Sequence, residues 1–175
     1  MKNKYIIEGN LTRIELYNSK GIVSGISLID TEDAVRVQHL RWGRHEAGYV
    51  YNMLGARGNR TNTYIHNIIL PPTDGIEIDH INGDGLDNRK VNLRLVTHAQ
   101  NQMNRRKKAE ATSIYKGVYW HSGSQIWCAK IGKDSKQTHL GSFVLELDAM
   151  KAYNKAALKL FGEYAKLNVK GIGCI

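Results

Sequence analysis

The sequence predicts an α+β chain with a β-rich N-terminal part, a central hairpin leading into a helix, and a C-terminal three-stranded antiparallel sheet packed on one helix. Three observations carry this. Short runs of period-two alternation recur from residue 4 onward, separated by Gly, Asn and Ser turn residues. A single turn-rich segment, Asn82–Asn88, lies between an Asp-His pair and a short alternating run that ends in a capping box. The last third has three strand-like runs followed by one long amphipathic pattern. The expected divisions are a β-rich scaffold over 1–60, a central segment over 61–108 and a C-terminal module over 109–175.

In the N-terminal part, Ile14 and Leu16 alternate with Arg13, Glu15 and Tyr17, and Ile22–Ile29 makes a further strand. Gly9-Asn10 and Asn18–Gly21 supply the turns. Asp30-Thr-Glu-Asp33 reads as a helix start, with Asp30 as N-cap and acids in the first turn. Ala34 and Val37, with Leu40 or Trp42, form the apolar face of that short helix. Gly48–Tyr51 returns to strand, and Thr63–Leu70 is a strand or a short helix stopped by Pro71-Pro72. This part reads as a scaffold whose Arg41, Arg44, Arg57 and Arg60 can touch a polyanion.

With 175 residues and 42% hydrophobic content the chain can bury cores, which excludes global disorder. Glu8 interrupts any apolar run at the start, so no signal peptide is expected, and no run approaches the roughly 20 apolar residues of a membrane span. Cys128 and Cys174 make neither a metal spacing nor a disulfide framework, and a reduced cytoplasmic compartment is the expectation. The net charge of +9 is unevenly placed: residues 1–101 carry 12 Lys/Arg against 11 Asp/Glu, and residues 102–175 carry 13 against 5. A basic C-terminal portion of this kind favours nucleic acid or an anionic surface, with solubility alone as the alternative.

The central segment carries chemistry. Asn92 follows His80 by 12 residues and Asn101 follows Asp79 by 22. Phosphodiester hydrolysis needs a base for a nucleophilic water and charge stabilisation at the phosphate. A histidine suits the base, and one carboxylate with one amide oxygen suits a hard cation that takes its remaining ligands from substrate. Val91, Leu93 and Leu95 alternate with polar neighbours, giving a returning strand. Thr97-His-Ala-Gln100 is a capping box that puts Asn101 in the first turns of a helix, with Arg105 on the same face. His98 competes for Asn101's place one turn earlier. His66 offers either a phosphate contact or a packed ring, and Asp84 and Asp87 read most simply as loop acids. The run Arg105-Arg106-Lys107-Lys108 is either a solvated face or a phosphate contact.

Asp79-His80, Asn92 and Asn101, together with Asn92–His98 throughout, resemble the HNH nuclease family. The resemblance implies a ββα-metal fold around one divalent cation, Mg²⁺ or else Mn²⁺. In that reading His80 is the general base, Asp79 and Asn101 bind the metal, and Asn92 holds the loop and orients His80. Asn101 stands where many family members have His, and the paired cysteines of members with a structural zinc are absent, so no structural zinc is expected. A second resemblance covers nearly all of residues 113–168. Ser113–Val118, Trp127–Ile131, Leu140–Phe143, Asp148-Ala149, Ala152-Tyr153, Gly162 and Leu167-Asn168 are similar to the DNA-binding domain of plant ethylene-response factors. It implies a sheet laid in the major groove. Lys116 stands at a basic contact position, Tyr119 and His121 stand at base-contacting Arg positions, Lys130 at a Glu and His139 at a Trp. The scaffold transfers and the plant target sequence does not.

Together these imply a phage- or homing-type DNA endonuclease acting on double-stranded DNA as a monomer or homodimer, by a nick or a double-strand break. Arg105, Arg106, Lys107, Lys108, Lys116, Tyr119, His121, Lys130, Lys133, Lys136 and His139 are the expected DNA contacts. The competing reading is a sequence-specific DNA-binding regulator with an inactive nuclease fold.

Overall fold

The structure is a computed structural model that describes residues 3–54, 61–104, 112–133, 136–169 and 173–174. The chain divides into two compact units, Met1–His98 and Ala99–Ile175. It is β-rich, with several small antiparallel sheets and few helices.

The first unit opens with an antiparallel meander of β1 (Tyr5–Glu8), β2 (Leu11–Tyr17) and β3 (Val23–Asp30). The alternation read from the sequence is realised on β2, where Thr12, Ile14 and Leu16 are buried and their neighbours half-buried. A 3₁₀ turn, Thr31–Asp33, leads into α1 (Ala34–Val37). Here the expected cap differs. Asp30 makes no side-chain cap; its Oδ2 instead accepts the backbone N–H of Lys90 at 2.7 Å. The carboxylate satisfies a donor 60 residues away in preference to the first turn of a helix too short to repay it.

A second sheet comprises β4 (Gly43–Arg44), β5 (Val50–Leu54) and β6 (Thr61–Tyr64). The segment open to either reading is both: β6 passes directly into α2 (Ile65–Ile69). That helix stops at Leu70, whose φ of −128° and ψ of 82° leave the α region that a following proline disfavours. The central hairpin pairs β7 (Ile76–His80) with β8 (Leu93–Thr97), and α3 (His98–Asn104) follows without a break.

One core serves this unit. Ile14, Leu16, Ile29, Val37, Trp42 and Val50 pack with Ile65, Ile69 and Leu93, so residues on both sides of position 60 share it. Trp42 is pinned: Asn3 accepts its backbone N–H at 2.7 Å and donates to its carbonyl at 2.9 Å, and the indole N–H donates to Val37.

In the second unit β9 (Val118–His121), β10 (Ile126–Lys133) and β11 (Lys136–Phe143) form an antiparallel sheet in the order β11-β10-β9. α4 (Glu146–Phe161) covers one face, burying Ala149, Met150, Tyr153, Ala157 and Phe161 against Val118, Ala129 and Ile131. Gly162 ends the helix at φ 55°. Asn168 then ties the chain back, exchanging two hydrogen bonds with the Lys116 backbone and two with Asn154. β12 (Asn168–Val169) pairs with β13 (Gly173–Cys174).

Gly117 is the sharpest steric constraint in this sheet. Its φ is 75°, and a Cβ there would lie 2.1 Å from the Tyr153 ring. Gly117→Ala should therefore destabilise the second unit by about 2 kcal/mol or more, combining left-handed strain with overpacking. A melt of the variant within about 1 °C of the parent would show that the sheet and helix do not approach this closely.

Candidate active site

β7 delivers Asp79 and His80 side by side at its end, and both are buried, 7% and 4% exposed. Arg94 stands directly opposite Asp79 across the hairpin. Its Nε and Nη2 reach Asp79 Oδ2 at 2.9 and 2.7 Å. This guanidinium does not stand out in the sequence. The signal lies in the register: once Asp79 and Asn92 bracket a hairpin, Arg94 faces Asp79.

The His80 ring is held by a residue that sequence reasoning also missed. Its Nε2 lies 3.1 Å from Asn88 Oδ1, and Asn88 is fully buried. The Asn88 amide donates to Ser27 Oγ at 3.1 Å and to the Gly85 carbonyl at 3.3 Å. With its NH₂ so used, Oδ1 is an acceptor, so Nε2 carries the ring hydrogen and Nδ1 is the basic nitrogen. Ser27 donates onward to the Leu86 carbonyl.

The loop between the strands is built from its own polar side chains. Asn82 and Asp84 each accept a backbone N–H two residues on, as Asx turns do. Asn92 accepts the Asn82 N–H and donates to Asn82 Oδ1 and the Asp87 carbonyl, so it clasps the loop, while the contact to the His80 ring comes from Asn88. Asp87 is no simple loop acid. It is buried and takes two 2.7 Å hydrogen bonds from Arg89, which hold its carboxyl below the usual range. The loop also anneals to β3: Leu28 donates to Leu86, and Asn88 donates to Leu28. Gly85 permits this, because a Cβ there would sit 2.7 Å from the Gly48 carbonyl oxygen and 2.8 Å from Tyr49.

A cluster of rings surrounds His80. His66, buried on α2, meets it edge-on at 5.1 Å and stacks on Tyr64 at 5.3 Å, with Tyr49 5.7 Å from His80. His66 Nδ1 is buried with no hydrogen-bond partner. Burial, and then the neighbouring His80, push the His66 pKa down to about 4. Burial also lowers that of His80, against the opposing pull of Asn88 and Asp79. Both rings are accordingly neutral at pH 7, and a neutral imidazole can take a proton.

The remaining expected residues fall in several places. His98 is exposed and its Nδ1 lies 2.6 Å from Glu77 Oε1. Asn101 lies on α3 in the second unit and is half-buried. Arg105, Arg106, Lys107 and Lys108 lie outside the described residues, as do Arg57 and Arg60. On the sheet of the second unit, His121, Lys130, Lys133, Lys136 and His139 are exposed, and Tyr119 and Lys116 are half-buried. Lys130 Nζ stands 5.2 Å from the centre of the Tyr119 ring, and Lys130 pairs in register with His139. Lys133 faces Lys136 directly, a like-charge pair that an anion would relieve. Trp127 packs against the core, with the more exposed Trp120 edge-on to it at 5.1 Å. Among the described residues no group of three or more His, Cys, Asp or Glu is arranged to hold a metal; one carboxylate with one amide is a donor set of a different kind.

A buried Asp-His pair thus stands at the end of a hairpin strand, beside a loop clasped by asparagines. Residues 69–103, which span that hairpin, match the family described as HNH endonuclease. The chain is 31% identical over 136 residues to an uncharacterized HNH endonuclease of Acanthamoeba polyphaga mimivirus, covering 75% of this chain and 68% of that protein. It is 29% identical over 96 residues to Protein 3.8 of Escherichia phage T7, covering 55% of this chain and 78% of that protein. No solved structure matches. The chain belongs to the HNH endonuclease family. No helix among the described residues is long and apolar enough to cross a membrane.

The buried histidines set a pH dependence. A His kept neutral in the fold binds its proton more readily when unfolded, so its contribution is present above about pH 6.5 and is lost as pH falls toward the folded value. Thermal stability should drop between about pH 6.5 and 4 with a slope approaching about 1.4 kcal/mol per pH unit per proton taken up. His66→Phe should flatten that slope, and an unchanged slope would place His66 in water. Asn88→Ala, which takes the partner from His80 Nε2 and Ser27 Oγ, should cost about 1–3 kcal/mol by denaturant melt.

Proposed function

We propose that this chain is a metal-dependent DNA endonuclease of the homing type, hydrolysing phosphodiester bonds at Asp79-His80. The observation that carries this is His80. It is a buried, neutral histidine whose Nε2 is tied to Asn88, within the segment matched to HNH endonucleases. His80 takes the proton of the attacking water. Asn88 fixes the ring's tautomer and orientation, and Arg94 anchors the Asp79 carboxylate.

In this reading Asp79 and Asn101 would hold one divalent cation, as the family resemblance implies. A carboxylate and an amide oxygen are hard donors and suit Mg²⁺, with Mn²⁺ as a substitute, better than zinc. When bound, the cation supplies positive charge to the scissile phosphate and the departing oxygen. No structural zinc is involved in this reading.

Residues 109–175 act as the DNA-reading module, in the manner of an ethylene-response-factor-like sheet. The exposed, basic face of β9, β10 and β11, with Tyr119, His121 and Lys130 on it, supports this. Phosphate contacts from Lys116, Lys130, Lys133 and Lys136 position the duplex, and planar side chains meet the bases. Residues 1–60 are the supporting scaffold and 61–108 the nuclease segment. One such site cuts one strand, so a monomer nicks and a homodimer cuts both. The likeness to a phage T7 protein supports work in the cytoplasm of an infected bacterial host.

Relaxation of supercoiled plasmid with Mg²⁺ tests the reading. His80→Ala should lose about 10²–10⁴-fold of the nicking rate while keeping DNA binding. Full cleavage by that variant overturns the base assignment, and binding without cleavage by the parent chain favours the regulator. Asn101→Ala should raise the Mg²⁺ requirement more than His98→Ala; the reverse moves the ligand to His98. Replacing Lys130, Lys133 and Lys136 together by Ala should flatten the salt dependence of binding by up to about 0.9 for each phosphate no longer neutralised. An unchanged slope removes these three lysines from the interface.

A further inference from the structure

The first unit contains a second feature that the hydrolytic site does not use. A cavity of about 710 Å³ opens between β2, β3, β4 and β5, lined among others by Tyr17, Arg41, Arg44, His45, Tyr51 and Asn52. Its size lies within the roughly 300–1,000 Å³ of small-ligand sites.

Its charges are held differently from those in the rest of the unit. Arg13, Arg36, Arg89 and Arg94 each pair with a carboxylate. Among the described residues Arg41 and Arg44 pair with none; Arg44 makes a hydrogen bond to the Ser24 carbonyl, and both side chains are exposed. Glu46 also lines the cavity but pairs with neither guanidinium among the described residues; two guanidiniums against one carboxylate leave a net positive charge that suits an anion, and guanidinium geometry suits phosphate.

The walls ask for more than phosphate. Tyr17 and Tyr51 present half-buried rings, and His45 stands edge-on to Tyr51 at 5.5 Å. Asn52, on β5, is 4% exposed, and its Nδ2 is buried with no hydrogen-bond partner. A buried amide donor without an acceptor is costly in a finished fold and marks a place where something else supplies one. An aromatic wall, an amide donor and two cations together match one nucleotide, with base, edge and phosphate in turn.

The cavity is also joined to the hydrolytic site. His45 on its wall meets Tyr64 at 6.4 Å, Tyr64 stacks on His66 at 5.3 Å, and His66 meets His80 at 5.1 Å. Three ring-to-ring steps thus lead from the cavity to the base. We propose that this cavity takes one unstacked nucleotide of the DNA strand being processed, its phosphate on Arg41 and Arg44, its base against Tyr51, and its edge on Asn52. The assignment of DNA as the ligand's source rests on the nuclease reading, while the pocket's nucleotide chemistry stands on its own residues.

The test uses the full chain carrying His80→Ala and a fluorescent nucleotide, 2-aminopurine deoxyribonucleoside 5′-monophosphate, whose emission falls when it stacks. Saturable quenching is expected, weakened about tenfold or more by Arg41→Ala and again when the probe lacks its phosphate. Asn52→Leu should weaken both probes; because Asn52 is buried, its folding is checked by circular dichroism, and the exposed Arg41→Ala decides if it fails to fold. Inorganic phosphate should compete only weakly; competition equal to that of the nucleotide reduces the site to an anion site and overturns the proposal. Absent quenching, or quenching indifferent to both Arg41→Ala and Arg44→Ala, also overturns it. On active chain, Arg41→Ala should raise KM for plasmid nicking several-fold with kcat kept. Failure of the parent to nick, with quenching intact, removes the nuclease reading and leaves the pocket; nicking without quenching does the reverse.

Discussion

The site depends on one buried amide. Asn88 has no exposed surface, yet it serves four groups: the His80 ring, Ser27, the Gly85 carbonyl and, through its own N–H, Leu28. Buried polar groups must be satisfied, and here satisfying them forces the loop onto β3 and the ring into one tautomer. Asn92 closes the other end of the loop, and Gly85 lets it lie against Gly48 and Tyr49. The β3 strand of the N-terminal meander is therefore a supporting wall of the site, although it contributes no chemistry of its own.

Charge is organised to the same end. In the first unit most described acids are engaged by a named cation, and Asp79 is among them, held by Arg94 from the facing strand. Anchoring a carboxylate restricts its rotation and fixes the direction from which a second positive partner approaches. Among the described arginines of this unit the exceptions, Arg41 and Arg44, both line one cavity. The second unit shows the opposite balance, an excess of Lys and Arg over acids, with Lys130, Lys133 and Lys136 exposed on its sheet.

Much of this is legible in the chain. The alternation of Thr12, Ile14 and Leu16, the Gly162 helix stop and the α4 stripe emerge where local pattern and burial agree. The Asp79-His80 pair and its spaced asparagines are visible because they fall in the segment that matches the HNH endonuclease family. Asn88, Arg94 and the buried state of Asp87 are not. Asn88 and Asp87 sit in a run of loop residues whose composition predicts only turns, and nothing local tells a solvated Asn from one buried against a strand 61 residues away. Asp30 fails as a helix cap for the same reason, since its partner Lys90 is distant in sequence.

The sequence by itself determined the elements, the family and the residue types of the chemistry, because short-range periodicity, turn residues and motif spacing are local properties of a chain. Only the tertiary structure decided the environment of those residues. Neutral His80 and His66 owe their state to desolvation first, and His66 also to its neighbour, while the tautomer of His80 follows from a hydrogen bond made by an amide that is itself fixed by Ser27. Burial and long-range hydrogen bonding arise from packing distant segments together, and they give the His80 ring a neutral state and a fixed partner that its sequence neighbours do not predict.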